Sequence, residues 1–355
     1  MASAVSSREA SGSSPWRWRM RPLTPVLALA VALSALSAFP ADADEAKELR
    51  IGYGFGIGFL PLMMIEKLQL IDKHSKEATG RAMPVAFTRF SGSSAMQDAV
   101  LSNSIDMGGY GIPALLIAWE KTRGTANQII GLAGITTGPL VLVTNNPTIN
   151  GIKDLGPQDR IAMPSTISPQ MYVLQMAAEK EFGPGTHDRF KSAIVSLPHP
   201  EAVRALLSRL EISAYFSAAP FTQIVLRDPG IHAILNSEAV FGGKGSFLVM
   251  AMSKRFADKN PDLVRAAVAA IEEADTLIKE EPRRAAEIYL TVEPSSSMTI
   301  DFIADLLKSS ASDFGAGVYG VKTYADALVK LGQLRAPPST WQEVFHPILG
   351  GRDGS

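Results

Sequence analysis

Apolar positions along the chain alternate between two rhythms. Short runs rich in β-branched and aromatic residues, such as residues 83–90, read as strands. Stretches with apolar residues three and four apart, such as Met96, Ala99 and Val100, read as helices. Taken in order, residues 48–53 predict a strand, 54–59 a glycine-rich loop ending at Phe59, 60–70 an apolar helix and 72–80 a polar loop. Strand 83–90 and a helix over 95–103 follow, then a strand and glycine-rich turn over 105–111. Pro113 sits where proline is favoured in a first helical turn, and the run to Trp119 is apolar nearly all round, which predicts a buried helix. Residues 127–135 read as a buried strand, 136–139 break it, and 140–143 resume an extended apolar run that carries the chain into a second domain.

The second half repeats the alternation. Residues 160–163, 193–197, 212–216 and 231–235 predict strands. Helices are predicted from Ser168-Pro169, with Met171, Leu174, Ala178 and Phe182 on one face, and over 200–210. Residues 241–245 form a flexible glycine-rich turn, and the apolar run 246–252 is long enough to cross back to the first domain. Beyond it, Val264, Ala267, Val268, Ile271, Ala274 and Ile278 mark a long amphipathic helix, with further helices near 283–290, 298–309 and 324–331. The chain after Ala336 reads as Pro-rich and loose. Strands alternating with helices in both halves predict parallel sheets in two α/β domains. Two crossings between them make a hinge, with 44–138 and 246–355 as one lobe and 139–245 as the inserted lobe.

Composition narrows the chemistry. A net charge of -1 without a basic run excludes a nucleic-acid partner, and the absence of cysteine excludes disulfides, thiolate metal sites and thiol nucleophiles. The five histidines show no metal-ligand spacing and read as surface or loop residues. No catalytic residue, metal or cofactor is expected. Gly54, Gly56 and Gly58 resemble a dinucleotide fingerprint only superficially, because its third glycine falls at Phe59.

The N-terminus reads as an export signal. Arg17, Arg19 and Arg21 precede the apolar run 26–39 and the small-residue site Ala41-Asp42-Ala43, with cleavage after Ala43. Met20 starts a signal of ordinary proportions better than Met1 does. Removal of 1–43 takes away four basic and two acidic residues, so the net charge moves from -1 to -3.

Two serine-rich turns are the candidate chemistry. Ser91-Gly92-Ser93-Ser94 lies at a strand-to-helix junction, where Ser94 and Gln97 have capping-box spacing and Asp98 suits the helix dipole. By itself this is a capped helix with spare hydroxyls, but unpaired N–H groups at such an end also attract oxygen acceptors, and glycine admits a ligand close to the backbone. Ser165-Thr166-Ile167-Ser168 supplies the matching turn in the other half. Tyr110, with Gly111 beside it, reads equally as a ligand contact or as a packed tyrosine. The second turn, the two crossings and the export signal tip the reading towards a ligand site with each turn as one jaw.

The order of these elements resembles the periplasmic solute-binding proteins of ABC importers, in the nitrate, taurine and alkanesulfonate (NitT/TauT, NMT1-like) branch that also includes thiamine-precursor binders. The resemblance spans residues 49–334 and is carried by Ile51-Gly52-Tyr53 before the apolar helix, Phe90-Ser91-Gly92, Ser104-Ile105-Asp106-Met107-Gly108 with Pro113, and Lys254-Arg255-Phe256-Ala257-Asp258-Lys259-Asn260-Pro261. It implies a two-lobed periplasmic binding protein fold of type II, two α/β domains joined by two crossing strands. It places the ligand at Ser91, Gly92, Ser93, Ser94, Tyr110, Gly111, Pro113, Ser165, Thr166, Ile167, Ser168 and Ser217; Phe59 and Gly243 are further candidate contacts. The acidic residue and tryptophan frequent in relatives are absent from Ser213-Ala214-Tyr215-Phe216-Ser217, and Arg89 is the only cation beside the cleft loops. The expected function is capture of a small, acceptor-rich or anionic organic molecule in the periplasm and delivery to a membrane permease, by a monomer. Two alternatives stand beside it: an enzyme on the same fold, of thiamine-pyrimidine or menaquinone-pathway type, and a sensory lobe of a membrane receptor.

Overall fold

The computed structural model describes residues 47–352, 354 and 355. The predicted signal, its cleavage after Ala43 and the start at Met20 lie outside the described residues. Along the chain, β1 (Leu49–Tyr53) passes through a single tight turn (Ile57–Phe59) into α1 (Leu60–Leu68) and α2 (Leu70–Thr79). Then come β2 (Val85–Arg89), α3 (Ser93–Leu101), β3 (Met107–Tyr110), α4 (Ile112–Thr122) and β4 (Ile129–Thr136). The second lobe holds β5 (Val141–Thr144), β6 (Ile161–Met163), α5 (Pro169–Phe182), β7 (Ile194–Ser196), α6 (His199–Ser208), β8 (Ala214–Ser217), α7 (Phe221–Val225), β9 (His232–Asn236) and α8 (Ser237–Phe241). The chain returns as β10 (Leu248–Ser253) and closes with α9 (Lys254–Lys259), α10 (Pro261–Glu280), α11 (Pro282–Val292), α12 (Ile300–Ser309) and α13 (Val321–Lys330).

The two five-stranded sheets share one plan, β2-β1-β3-β10-β4 and β7-β6-β8-β5-β9. In each, three parallel strands meet one antiparallel strand. That antiparallel strand is the one the crossing delivers, β5 on the way out and β10 on the way back. This is a two-lobed α/β architecture, with residues 137–140 and 242–247 bridging the sheets. One apolar cluster fills the first lobe and continues to Tyr215 and Phe221 of the second, and a separate cluster around Leu142, Ile161, Met163 and Phe216 fills the other face of the second sheet. The lobes therefore meet over packed side chains.

Three local readings are corrected. Residues 72–79 are helical, with Gly80 as the cap. Gln69 adopts a left-handed conformation with φ 53°, which ends α1 and lets α2 restart. Leu70 and Ile71 are then buried, and Lys73 and His74 each reach Glu273 of α10 at 2.7 Å. The capping box at Ser94 does not form, because α3 begins two residues earlier with Gly92 as its cap, and the Gln97 amide instead donates to the Ala114 carbonyl at 2.8 Å. The stretch beyond Ala336 is anchored: Gly131 N–H donates to Val344 O at 2.9 Å, His346 N–H donates back to Gly131 O at 2.8 Å, and Val344, Phe345 and Leu349 are buried. Gly131 permits this, since a Cβ there would lie 2.2 Å from the Phe345 ring.

Candidate functional site

The end of β2 and the start of α3 form one wall of a cleft between the lobes. Gly92 is extended and carries no side chain, so the first-turn N–H groups of α3 face out without intrahelical partners. Ser91 is exposed and Ser93 nearly buried at this rim. Opposite stand Pro164, Ser168, Pro169 and Gln170 at the start of α5, with His199 from the start of α6. Phe55, Phe59, Met96 and Phe247 make the apolar walls, and the cleft is nearly closed, leaving about 30 Å³ for the centre of a water-sized sphere.

Two polar side chains in this cleft stand out. Gln170 is 1% exposed, yet neither its amide nitrogen nor its oxygen has a hydrogen-bond partner. An amide buried in that way costs stability unless something else satisfies it. His199 is buried, stacks on Phe221 with ring centroids 5.1 Å apart, and uses Nδ1 for a hydrogen bond with the Tyr215 hydroxyl. Nε2 is the ring nitrogen left for the cleft. Burial lowers the His199 imidazole to about 3, so it is neutral at physiological pH. No residue bordering the cleft is charged at that pH. Arg89 lies behind the wall, over the Tyr53 and Phe55 rings at 5.3 and 4.8 Å, donating to Val292 O at 3.3 Å.

Of the residues expected from sequence, Phe59, Ser91, Gly92, Ser93 and Ser168 border the cleft. The Ser168 hydroxyl is already committed, donating to Ser165 O at 2.8 Å. Ser94 falls on the second position of α3, half-buried and off the rim. Strand alternation brings Gly109 to the cleft and turns the buried Tyr110 away from it. Gly111 and Pro113 are structural: a Cβ on Gly111 would lie 2.2 Å from Pro169 Cγ, and Pro113 is buried in the first turn of α4. Ser165, Thr166 and Ile167 do not border the cleft: Ser165 is buried against Gly92 with its hydroxyl unpartnered, Thr166 is exposed and Ile167 is half-buried. Ser217 is not available, because its hydroxyl donates to Val141 O at 2.7 Å and pairs with Thr222 at 2.8 Å, pinning β8 to β5. Gly243 is exposed in the return crossing.

Gln170 and His199 escaped the sequence reading. Both sit at helix starts beside a proline, which was the available signal. His199 corrects the reading of all five histidines as surface or loop residues. Among the described residues, no group of three His, Cys, Asp or Glu converges on a metal position, and no helix is long and apolar enough to cross a membrane.

A cleft between two such sheets defines the periplasmic binding protein fold. The chain belongs to the NMT1-like family, whose sequence profile matches residues 42–292. A search of curated proteins returns no match. Among solved structures, the alkanesulfonate-binding protein SsuA from Xanthomonas axonopodis pv. citri, bound to MOPS, superposes with TM-score 0.62 at 17% identity, covering 84% of this chain and 96% of that one. The ligand-binding component of an ABC-type import system from Staphylococcus aureus gives 0.63 at 17%, covering 86% and 98%. The periplasmic nitrate-binding protein NrtA from Synechocystis PCC 6803 gives 0.62 at 14%, covering 84% and 85%. At these identities the likeness is one of fold.

Proposed function

We propose that this chain is the solute-binding component of an ABC importer, capturing a small organic molecule in the periplasm and delivering it to a membrane permease. The observation that carries the reading is the unpartnered Gln170 amide, buried opposite the open N-terminus of α3 in a cleft between two lobes. A ligand bearing an acceptor-rich group suits this site, taking N–H groups from α3, hydroxyls from Ser91 and Ser93, and the amide of Gln170. With no charged side chain on the walls, binding relies on neutral donors and aromatic contact. Residues 44–138 with 246–355 move as one lobe and 139–245 as the other, so that closure reports occupancy to the permease. The mature protein begins at Asp44 and acts as a monomer. The family membership and the fold of importer components support this reading over catalysis.

The test is a thermal-shift screen of the mature protein against sulfonates, carboxylates, nitrate and pyrimidines. A bound solute at 100 times its Kd stabilises the protein by about 2.7 kcal/mol and is recovered unchanged. Conversion of any solute to a product supports the enzyme alternative and overturns the binding reading. N-terminal sequencing of the native protein checks export, with Met1 or Met20 as the contrary result.

A further inference from the structure

The loop after β1 is held from behind by a residue that never reaches the cleft. Glu293, directly after α11, is 6% exposed, and its Oε2 accepts the Gly56 N–H at 3.1 Å. Its nearest charge is the Arg89 guanidinium at 3.9 Å, the Tyr289 hydroxyl lies beside it, and burial holds its carboxyl above the usual carboxylate value. Burying a carboxylate this deeply is unfavourable without a compensating role. The adjoining peptide shows what it positions: Ile57 N–H donates to Ala219 O of the second lobe at 3.2 Å. Among the described residues this is the one backbone-to-backbone hydrogen bond between the lobes outside the crossing segments. Gly56 holds φ 99°, and a Cβ there would lie 3.1 Å from that same Ala219 carbonyl. Two further glycines of the first lobe bring backbone against the second, Gly92 at Pro164 and Gly111 at Pro169.

We propose that Glu293 is a positioning residue for lobe closure: by fixing the Gly56 peptide it aims the Ile57 N–H at Ala219 and latches the closed form. The role of the latch in solute capture rests on the importer reading above, whereas the latch itself is measurable without a solute. Because the chain has no cysteine, Asp98→Cys on α3 and Glu201→Cys on α6 give two unique labels, one per lobe. Pulsed electron spin resonance on the labelled, solute-free protein reads the interlobe distance, and amide exchange reads Ile57. Glu293→Ala is expected to reduce the short-distance population at least fivefold and speed Ile57 exchange at least tenfold. Exchange in β1 and β3 stays unchanged. Glu293→Gln, which keeps an oxygen acceptor for Gly56, restores both. Gly56→Ala leaves Glu293 in place and is expected to reproduce the loss of the short distance, so the inference stays testable even if Glu293→Ala does not fold. Identical distance distributions in parent, Glu293→Ala and Gly56→Ala, whether all closed or all open, overturn the latch. Failure of the solute screen alone leaves these readouts standing.

Discussion

The two serine-rich turns that face each other across the cleft look alike in sequence and behave differently in the fold. At α3 the cap is Gly92, and the Ser93 hydroxyl makes no hydrogen bond within the described residues, so both backbone and side-chain donors stay open. At α5 the first helical residue is Pro169, which has no N–H, and the Ser168 hydroxyl turns back on Ser165. The donor capacity lost there is replaced by the Gln170 amide one residue on. Composition marks a helix start, but an internal partner decides whether its polar atoms are free for a ligand.

That comparison assumes that a buried polar atom without a partner costs stability, and the assumption is tested most strongly away from the cleft. Asp275 of α10 is 4% exposed with neither carboxylate oxygen bonded, and burial raises its carboxyl from 3.8 to about 8. Between those values the folded chain holds a proton that the unfolded chain has released, so stability is full below the unfolded pKa and declines as pH rises through about 8. Asp275→Asn is expected to be more stable than the parent at pH 8, by about 5 kcal/mol at most, with the difference closing towards pH 4. Urea melts at pH 4, 6 and 8 measure it, and parallel curves would remove the assumption.

Within the cleft, Gly92→Val is expected to have the largest effect. A Cβ at Gly92 lies 2.6 Å from the Pro164 carbonyl oxygen, so the lobes are wedged apart. Affinity for any solute retained by the parent should fall by about 100-fold, roughly 2.7 kcal/mol, with little change in the Tm of the free protein. Calorimetric titration together with a melt separates the two effects. Gln170→Leu sharpens the contrast because its effects have opposite signs. It should weaken binding by about 10-fold while leaving the free protein as stable or up to ~1 kcal/mol more so, since two unpaired buried atoms disappear. A loss of stability without a loss of binding would place Gln170 outside the site.

The smallest effects decide between the turns directly. Ser168→Ala should lower stability by about 1 kcal/mol and leave affinity alone, whereas Ser93→Ala should reduce affinity about 3-fold and leave stability alone. If the two variants exchange behaviours in melts and titrations, the assignment of the open and the closed turn is reversed.

The alternation of strands and helices was legible because burial imposes a period of two or 3.6 on neighbouring residues, as in β3 followed by α4. Both crossings were legible because an apolar extended run beside a glycine-containing break has few other readings. Helix α2 was not, because its buried face is only Leu70, Ile71 and the polar Ser75, and its pairing with Glu273 lies two hundred residues away in the chain. Ser217 was misplaced for a similar reason: its partners, Val141 and Thr222, become neighbours only when β8 pairs with β5. The C-terminal stretch looked loose until Gly131 left room for Phe345.

The sequence by itself thus determined the α/β class, the two-lobed plan and the family resemblance, and it marked Ser91, Gly92 and Ser93, which border the cleft. Tertiary structure alone decided that Gln170 and His199 face the cleft, that Ser168 and Ser217 are spent on internal bonds, and that Glu293 reaches Gly56. The physical reason is range. Periodicity records whether a residue is buried, through its near neighbours, whereas satisfaction of a polar atom depends on partners brought together from distant parts of the chain.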